Sequence, residues 1–224
     1  MQGNPVYKFL SALLCYPEAE MIEALPEFQA ALNSLPELSG GRQDLQALLD
    51  YFSSHNLRRL QEEYVSTFDR NRLHALYIFE HIFGEDRDRG GAMVDLLEEY
   101  RRHSFELSDD EPPDYLPALL EFFSHIPPAE AQKLLGDAVH VINHIGKNLR
   151  TAGSPYAAVL ECAVSLSLVK PKPLIEPPIR DMDEAMETFG PDAAGIEPLL
   201  KPSIQTIKFY PRSKKQVNPL AREY

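Results

Sequence analysis

Two histidines in the second half of the chain have a spacing that metal sites use. His140 and His144 stand four residues apart in a helical pattern, which places both imidazoles on one helix face. The residue after His140 is Val141, so the catalytic glutamate of a helical zinc protease is missing. Together with His81, these residues leave open a helical metal-binding protein or a metalloenzyme. The alternative, which we favour, is that the histidines occupy the rims of their helices.

Other catalytic patterns are incomplete or missing. Glu121 and His125 are four residues apart, whereas di-iron bundles use Glu-x-x-His on two helices. The glycine pairs at 40–41 and 90–91 do not follow predicted strands, so neither is expected to bind phosphate. The chain contains no Gly-x-Ser-x-Gly sequence. We therefore predict that the protein is not an enzyme and has no metal site.

The stretch at residues 64–102 combines aromatic helices with a run of alternating charges. That run, Asp86-Arg87-Asp88-Arg89, permits two interpretations. It can be a self-satisfied ion cluster at a helix corner, where surface pairs contribute about 0–1 kcal/mol each. It can also be a rim that binds a charged peptide. Acids beside apolar helices, without a catalytic set, favour a surface for another protein.

Charge is distributed unevenly along the chain. The formal net charge is −12, which disfavours nucleic acid and anionic membranes as partners. Residues 80–114 hold twelve acids against four arginines, whereas residues 199–224 hold six bases against one acid. An acidic centre favours a basic partner.

Apolar residues recur at helical spacing through the first 170 residues. This pattern predicts an all-α fold, a single bundle-like domain of about eight or nine helices. Helices are predicted over 57–68, 73–83 and 92–105, around the charged stretch.

Local signals mark several helix ends. Asn4, Asn56 and Asp114 each precede an apolar helical pattern, so each is predicted to cap the helix that follows it. Gly84 tolerates positive φ and is predicted to end the helix before it.

The composition changes after residue 170. Residues 171–224 contain nine prolines, a density that prevents a regular core element. We predict a helical domain over 1–170 and a basic, irregular tail over 171–224, extended or partly disordered. Cys15 and Cys162 lie in apolar patterns and are predicted to be buried thiols in a reducing compartment. Without a signal peptide or a membrane-spanning run, the protein is predicted to be cytoplasmic.

Several short motifs resemble those of the NarJ family, the assembly chaperones of respiratory nitrate reductase within the wider TorD/DmsD-like group. They cover much of residues 5–170 and are Phe68-Asp69-Arg70, Phe79-Glu80-His81, Arg87-Asp88-Arg89-Gly90, Ala92-Met93-Val94-Asp95-Leu96-Leu97 and Glu111-Pro112-Pro113-Asp114-Tyr115-Leu116-Pro117.

The resemblance implies a TorD-like helical chaperone without catalysis. Such a protein binds the N-terminal segment of the apo catalytic subunit of nitrate reductase or a related molybdoenzyme. It holds that subunit while the bis(molybdopterin guanine dinucleotide) molybdenum cofactor and an iron–sulfur cluster are inserted, before membrane docking. It keeps no cofactor stably, and cofactor-delivery proteins are further candidate partners.

We expect the client segment to bind as a basic amphipathic helix in a groove between the three predicted helices. The predicted contacts combine aromatic, acidic and basic side chains: Tyr64, Phe68, Asp69, Arg70, Tyr77, Glu80, His81, Asp86, Arg87, Arg89, Asp95, Tyr100, Asp114 and Tyr115. The tail at 199–224 carries a similar mixture of bases and apolar residues. It is a candidate competitor for the same groove, and a solvated tail is the alternative.

Overall fold

The computed structural model describes residues 4–84, 88–108 and 111–174. These residues form ten α-helices: α1 (Pro5–Leu14), α2 (Ala19–Glu23), α3 (Leu25–Ser34), α4 (Arg42–Ser54), α5 (Leu57–Tyr64), α6 (Ile78–Phe83), α7 (Asp88–Arg102), α8 (Leu116–His125), α9 (Pro128–Thr151) and α10 (Ala157–Ser165). The all-α prediction is confirmed, with slightly more helices than expected because several are short. No β-strand occurs within the described ranges; Tyr77 and Tyr115 form an isolated antiparallel bridge.

Helices α1, α8, α9 and α10 make the densest part of the core. The most extensive packing joins α1 to α8 and α9 to α10. Ser11 is buried in the first pair, and its hydroxyl donates to the Pro117 carbonyl at 2.7 Å, so no polar group is left unpaired there. In the second pair, a Cβ on Gly146 would lie 3.2 Å from the Leu160 Cβ. Glycine therefore allows α9 and α10 to approach closely.

The predicted helix over 73–83 is wrong in its first half. A 3₁₀ turn covers Arg72–His74, and α6 begins only at Ile78. Between them, the Leu76 carbonyl accepts from the Leu116 N–H at 2.8 Å, and the Ile78 N–H donates to the Asp114 carbonyl at 3.0 Å. The residues before α6 are nearly all apolar, so they show no helical or strand periodicity from which to predict their conformation. Their conformation is set by hydrogen bonds to distant residues.

Most predicted helix ends are confirmed. The Asn4 side chain accepts from the Val6 N–H, and Asn56 accepts from the Arg59 N–H, each at 3.0 Å. Gly84 ends α6 with φ 54°. The helix predicted over 57–68 continues past α5 through a π-helical turn at Val65–Asp69.

The two cysteines differ. Cys162 is buried as predicted, whereas Cys15 is exposed and lies just past the end of α1 at Leu14. No helix in the described part of the chain is both long and apolar enough to cross a bilayer.

Only residues 171–174 of the predicted tail belong to the described structure. There the Lys172 N–H donates to His140 Nδ1 at 3.0 Å. The tail from 175 onward, and its proposed competition with a client, lie outside the described residues.

Candidate functional site

Asp114 is a fully buried carboxylate that connects three helices. It was predicted to cap α8, which follows it, and that prediction is wrong because Tyr115 occupies the N-cap position. Instead Asp114 Oδ2 accepts from the Phe79 N–H at 3.0 Å, satisfying a free donor at the start of α6. Arg89 of α7 lies 3.8 Å from the same oxygen. Burial raises the pKa of Asp114, and the Phe79 N–H and the Arg89 charge act in the opposite direction.

Tyrosine hydroxyls hold the segment before α8 in place. Tyr100 of α7 donates to the Pro113 carbonyl at 2.7 Å. Tyr64 donates to the Leu14 carbonyl at 2.8 Å, and its oxygen lies 3.0 Å from the Tyr115 hydroxyl. Burial raises the pKa of both Tyr64 and Tyr100, so these phenols stay protonated at neutral pH.

His81 is only 7% exposed and has a structural hydrogen bond. Its Nε2–H donates to the Ala75 carbonyl at 2.8 Å. Burial lowers the pKa of His81 to about 4, and nearby His144, Arg72 and His74 act in the same direction. The imidazole is therefore neutral at pH 7 and fixes the extended segment before α6.

Five of the predicted peptide contacts are buried in this conformation: Tyr64, Phe68, His81, Tyr100 and Asp114. They cannot touch a peptide unless the structure rearranges. Phe68 illustrates the point, since its ring centroid lies 4.7 Å from that of Tyr64 and 5.0 Å from that of Tyr156. These residues position the surface around them.

The half-buried phenol of Tyr77 lies among acids. Burial raises its pKa, and the negative charges of Glu111, Asp69, Asp114 and Glu80 raise it further. The structure thus brings together four predicted residues from separate parts of the chain and adds Glu111.

Tyr115 and Arg72 lie next to these residues. The Tyr115 ring stands 5.4 Å from the Tyr77 ring, and Arg72 lies 3.5 Å from Glu80. We call Asp69, Tyr77, Glu80, Glu111 and Tyr115 the acidic tyrosine surface. Sequence reasoning did not select Glu111 or Arg72, although Glu111 opens one of the family-like motifs.

Helix α7 supplies a second exposed region. Of its residues only Tyr100 is buried, and Val94 is 53% exposed. Asp95, a predicted contact, is exposed beside it. Arg70 is also exposed, at the end of the π-helical turn. The predicted contacts Asp86 and Arg87 lie outside the described residues.

The alternative metal site at His81, His140 and His144 is not assembled. The His81 and His144 ring centroids are 5.8 Å apart, but His81 Nε2 is committed to Ala75 and His140 Nδ1 accepts from Lys172. In the described part of the chain, these three histidines do not form a group with all ligand atoms within 4.8 Å. Tertiary packing brings the His81 ring close to that of His144, but the ligand atoms of the three histidines do not converge.

Comparison with known proteins agrees with the resemblance in the motifs. The family model described as nitrate reductase delta subunit matches residues 35–160. The nitrate reductase molybdenum cofactor assembly chaperone NarJ of Escherichia coli (strain K12) is 36% identical over 168 residues, covering 70% of this chain and 67% of the relative. The probable chaperone of the same name from Bacillus subtilis (strain 168) is 31% identical over 157 residues, covering 69% and 83%.

A further relative is the probable nitrate reductase molybdenum cofactor assembly chaperone NarW of Escherichia coli (strain K12). It is 32% identical over 167 residues, covering 72% of this chain and 68% of the relative. These relatives are named as chaperones and not as catalysts, which supports a chaperone role and a non-enzymatic protein. The matched span contains α4 to α9 and the whole acidic tyrosine surface, and the chain belongs to the nitrate reductase delta subunit family.

Proposed function

We propose that the chain is an assembly chaperone for a respiratory nitrate reductase or a related molybdoenzyme. It binds the basic N-terminal segment of the apo catalytic subunit at the acidic tyrosine surface. It keeps that subunit open for insertion of the bis(molybdopterin guanine dinucleotide) cofactor and an iron–sulfur cluster, before the subunit docks at the membrane. The names of the relatives support the nitrate reductase client.

The observation that carries this proposal is the position of Tyr77. A half-buried aromatic ring offers apolar area, and its hydroxyl offers a hydrogen bond at low entropic cost. The acids around it, Asp69, Glu80, Glu111 and Asp114, give the region a negative potential. A segment that alternates apolar residues with lysine or arginine matches both features.

Apolar contacts and charged contacts contribute to peptide binding in different ways. Buried apolar and aromatic anchors supply most of the free energy of binding. Exposed acids steer a basic segment and orient it, and their effect falls as salt screens charge.

The test is isothermal titration calorimetry of the full chain with a synthetic N-terminal peptide of the cognate catalytic subunit. Asp69→Lys changes an exposed acid of the surface, and Tyr77→Ala removes the central ring. We expect Asp69→Lys to weaken binding severalfold at low salt and less at high salt. Tyr77→Ala weakens binding at both salt concentrations, because its contribution is mainly apolar.

The matched control is Glu27→Lys, which makes the same charge change at an exposed position on α3. Circular dichroism verifies that every variant keeps its helices. If Glu27→Lys weakens binding as much as Asp69→Lys, the effect is one of net charge. Unchanged affinity in both Asp69→Lys and Tyr77→Ala would remove the acidic tyrosine surface from the proposal.

A further inference from the structure

Three possible metal ligands meet on the side of the bundle where α7 approaches α9. Glu99 lies in the last turn of α7, His103 follows the end of that helix, and Glu130 lies in the first turn of α9. His103 Nε2 lies 3.4 Å from Glu99 Oε1 and 3.1 Å from Glu130 Oε2. Among the described residues, this is the group of histidine, cysteine and acid side chains whose ligand atoms all lie within 4.8 Å of one another.

These separations fit a tetrahedral ion. Nitrogen and oxygen ligands bound to zinc at about 2.0–2.1 Å in a tetrahedron lie about 3.3–3.4 Å from each other. The two distances from His103 Nε2 are close to that edge length. An ion can therefore enter between the three groups without a large movement of either helix.

The His103 nitrogen faces two carboxylates but forms no well-aligned hydrogen bond with either of them. Nε2 is buried and has no hydrogen bond of acceptable geometry, although two carboxylates lie near it. The imidazole packs against Phe122, with ring centroids 5.6 Å apart, and the side chain is 17% exposed. A buried nitrogen without a hydrogen bond carries a desolvation cost, and a bound cation would offset it.

The neighbouring Arg102 leaves the ligand oxygen free. It pairs with Glu99 Oε2, whereas the oxygen that faces His103 is Oε1. This pairing orients the carboxylate, as residues around a metal ligand commonly do. The three groups would leave one position of a tetrahedron open for water.

We propose that Glu99, His103 and Glu130 bind a divalent transition-metal ion, with zinc as the best match. An imidazole with two carboxylates suits zinc, whereas calcium and magnesium prefer oxygen ligands only. The ion links the end of α7 to the start of α9. Tyr100 is the buried residue of α7, and the ion adds a second attachment close to it at the end of the helix.

The experiment uses the full chain without an affinity tag, freed of metal with a chelator and then titrated with zinc in a calorimeter. We expect one zinc per chain and a higher midpoint of thermal unfolding in the presence of zinc. His103→Phe keeps an aromatic ring against Phe122, and Glu130→Gln changes an exposed side chain. Each removes one ligand and weakens zinc binding by more than about tenfold.

The chain provides a matched control in α8. His125 Nε2 and Glu121 Oε1 are 3.9 Å apart at the same four-residue spacing, on an exposed face. His125→Phe leaves zinc binding unchanged if the proposal is correct. Failure of the unaltered chain to bind zinc, or equal binding by His103→Phe and Glu130→Gln, overturns it. An unchanged midpoint of thermal unfolding on addition of zinc also overturns it.

Discussion

Protonation of His81 should weaken the fold as pH falls below neutrality. The ordinary pKa of histidine is 6.5, and burial lowers that of His81 to about 4. Between these values the unfolded state binds the proton and the folded state does not, so the free energy of unfolding decreases as pH falls. The full difference corresponds to about 3 kcal/mol, at about 1.4 kcal/mol per pKa unit.

Much of this decrease in the free energy of unfolding occurs between pH 7 and pH 5, where unfolding is easily measured. Between pH 7 and pH 5 the linkage relation gives a decrease of about 2 kcal/mol from His81 alone. His74 has a pKa lowered by burial and contributes in the same direction. Burial raises the pKa of Asp114 and of Glu111, and these carboxyls act in the opposite direction, so the contribution of His81 is measured by comparison with a variant that lacks the imidazole.

The assay is urea unfolding of the unaltered chain and of His81→Gln at both pH values. A glutamine N–H can still donate to the Ala75 carbonyl but does not titrate. Any constant cost of the substitution cancels, because the quantity compared is the change between pH 7 and pH 5. We expect the variant to lose about 2 kcal/mol less than the unaltered chain over this interval.

His125→Gln is the control, since His125 is an exposed histidine of α8. It should keep the pH dependence of the unaltered chain. If His81→Gln also keeps it, the buried neutral state of His81 is not the cause and the reasoning is refuted.

Four further substitutions, at Asp114, Gly146 and Gly90, test which contacts stabilise the site and the core. Asp114→Ala removes the carboxylate that accepts from the Phe79 N–H, and we expect urea unfolding to show a loss of about 2 kcal/mol; Asp114→Asn keeps an acceptor and should lose less. An equal loss in both would show that the hydrogen bond is unimportant. Gly146→Ala places a Cβ 3.2 Å from the Leu160 Cβ and should destabilise the protein by about 1 kcal/mol. Gly90→Ala in α7 adds a Cβ that meets nothing within 4 Å and should stabilise the protein by about 0.5–1 kcal/mol. A higher midpoint of urea unfolding for Gly146→Ala than for Gly90→Ala would contradict this reasoning.

The site was only partly predictable. Tyr77 and Glu80 were selected from their composition and motifs, and the structure places them together with Asp69 from an earlier turn. Tyr64 and Tyr100 were predicted as peptide contacts but are buried, because helical periodicity shows that a residue faces the core or a groove and does not distinguish the two. An exposed aromatic and a buried one leave the same pattern in the sequence.

The sequence by itself determined the features that depend on a few neighbouring residues. The caps at Asn4 and Asn56, the end of α6 at Gly84 and the all-α class follow from local hydrogen bonding and helical spacing. These interactions join residues at most four positions apart, so they can be predicted from the sequence without knowledge of the tertiary structure.

Tertiary structure alone decided the interactions between distant segments. Asp114 accepts from Phe79, 35 residues away, and not from the helix that follows it. The segment before α6 is extended because its backbone groups pair with those of Asp114 and Leu116. Each polar group buried by the fold must find a partner, and which partner is near depends on how the helices pack.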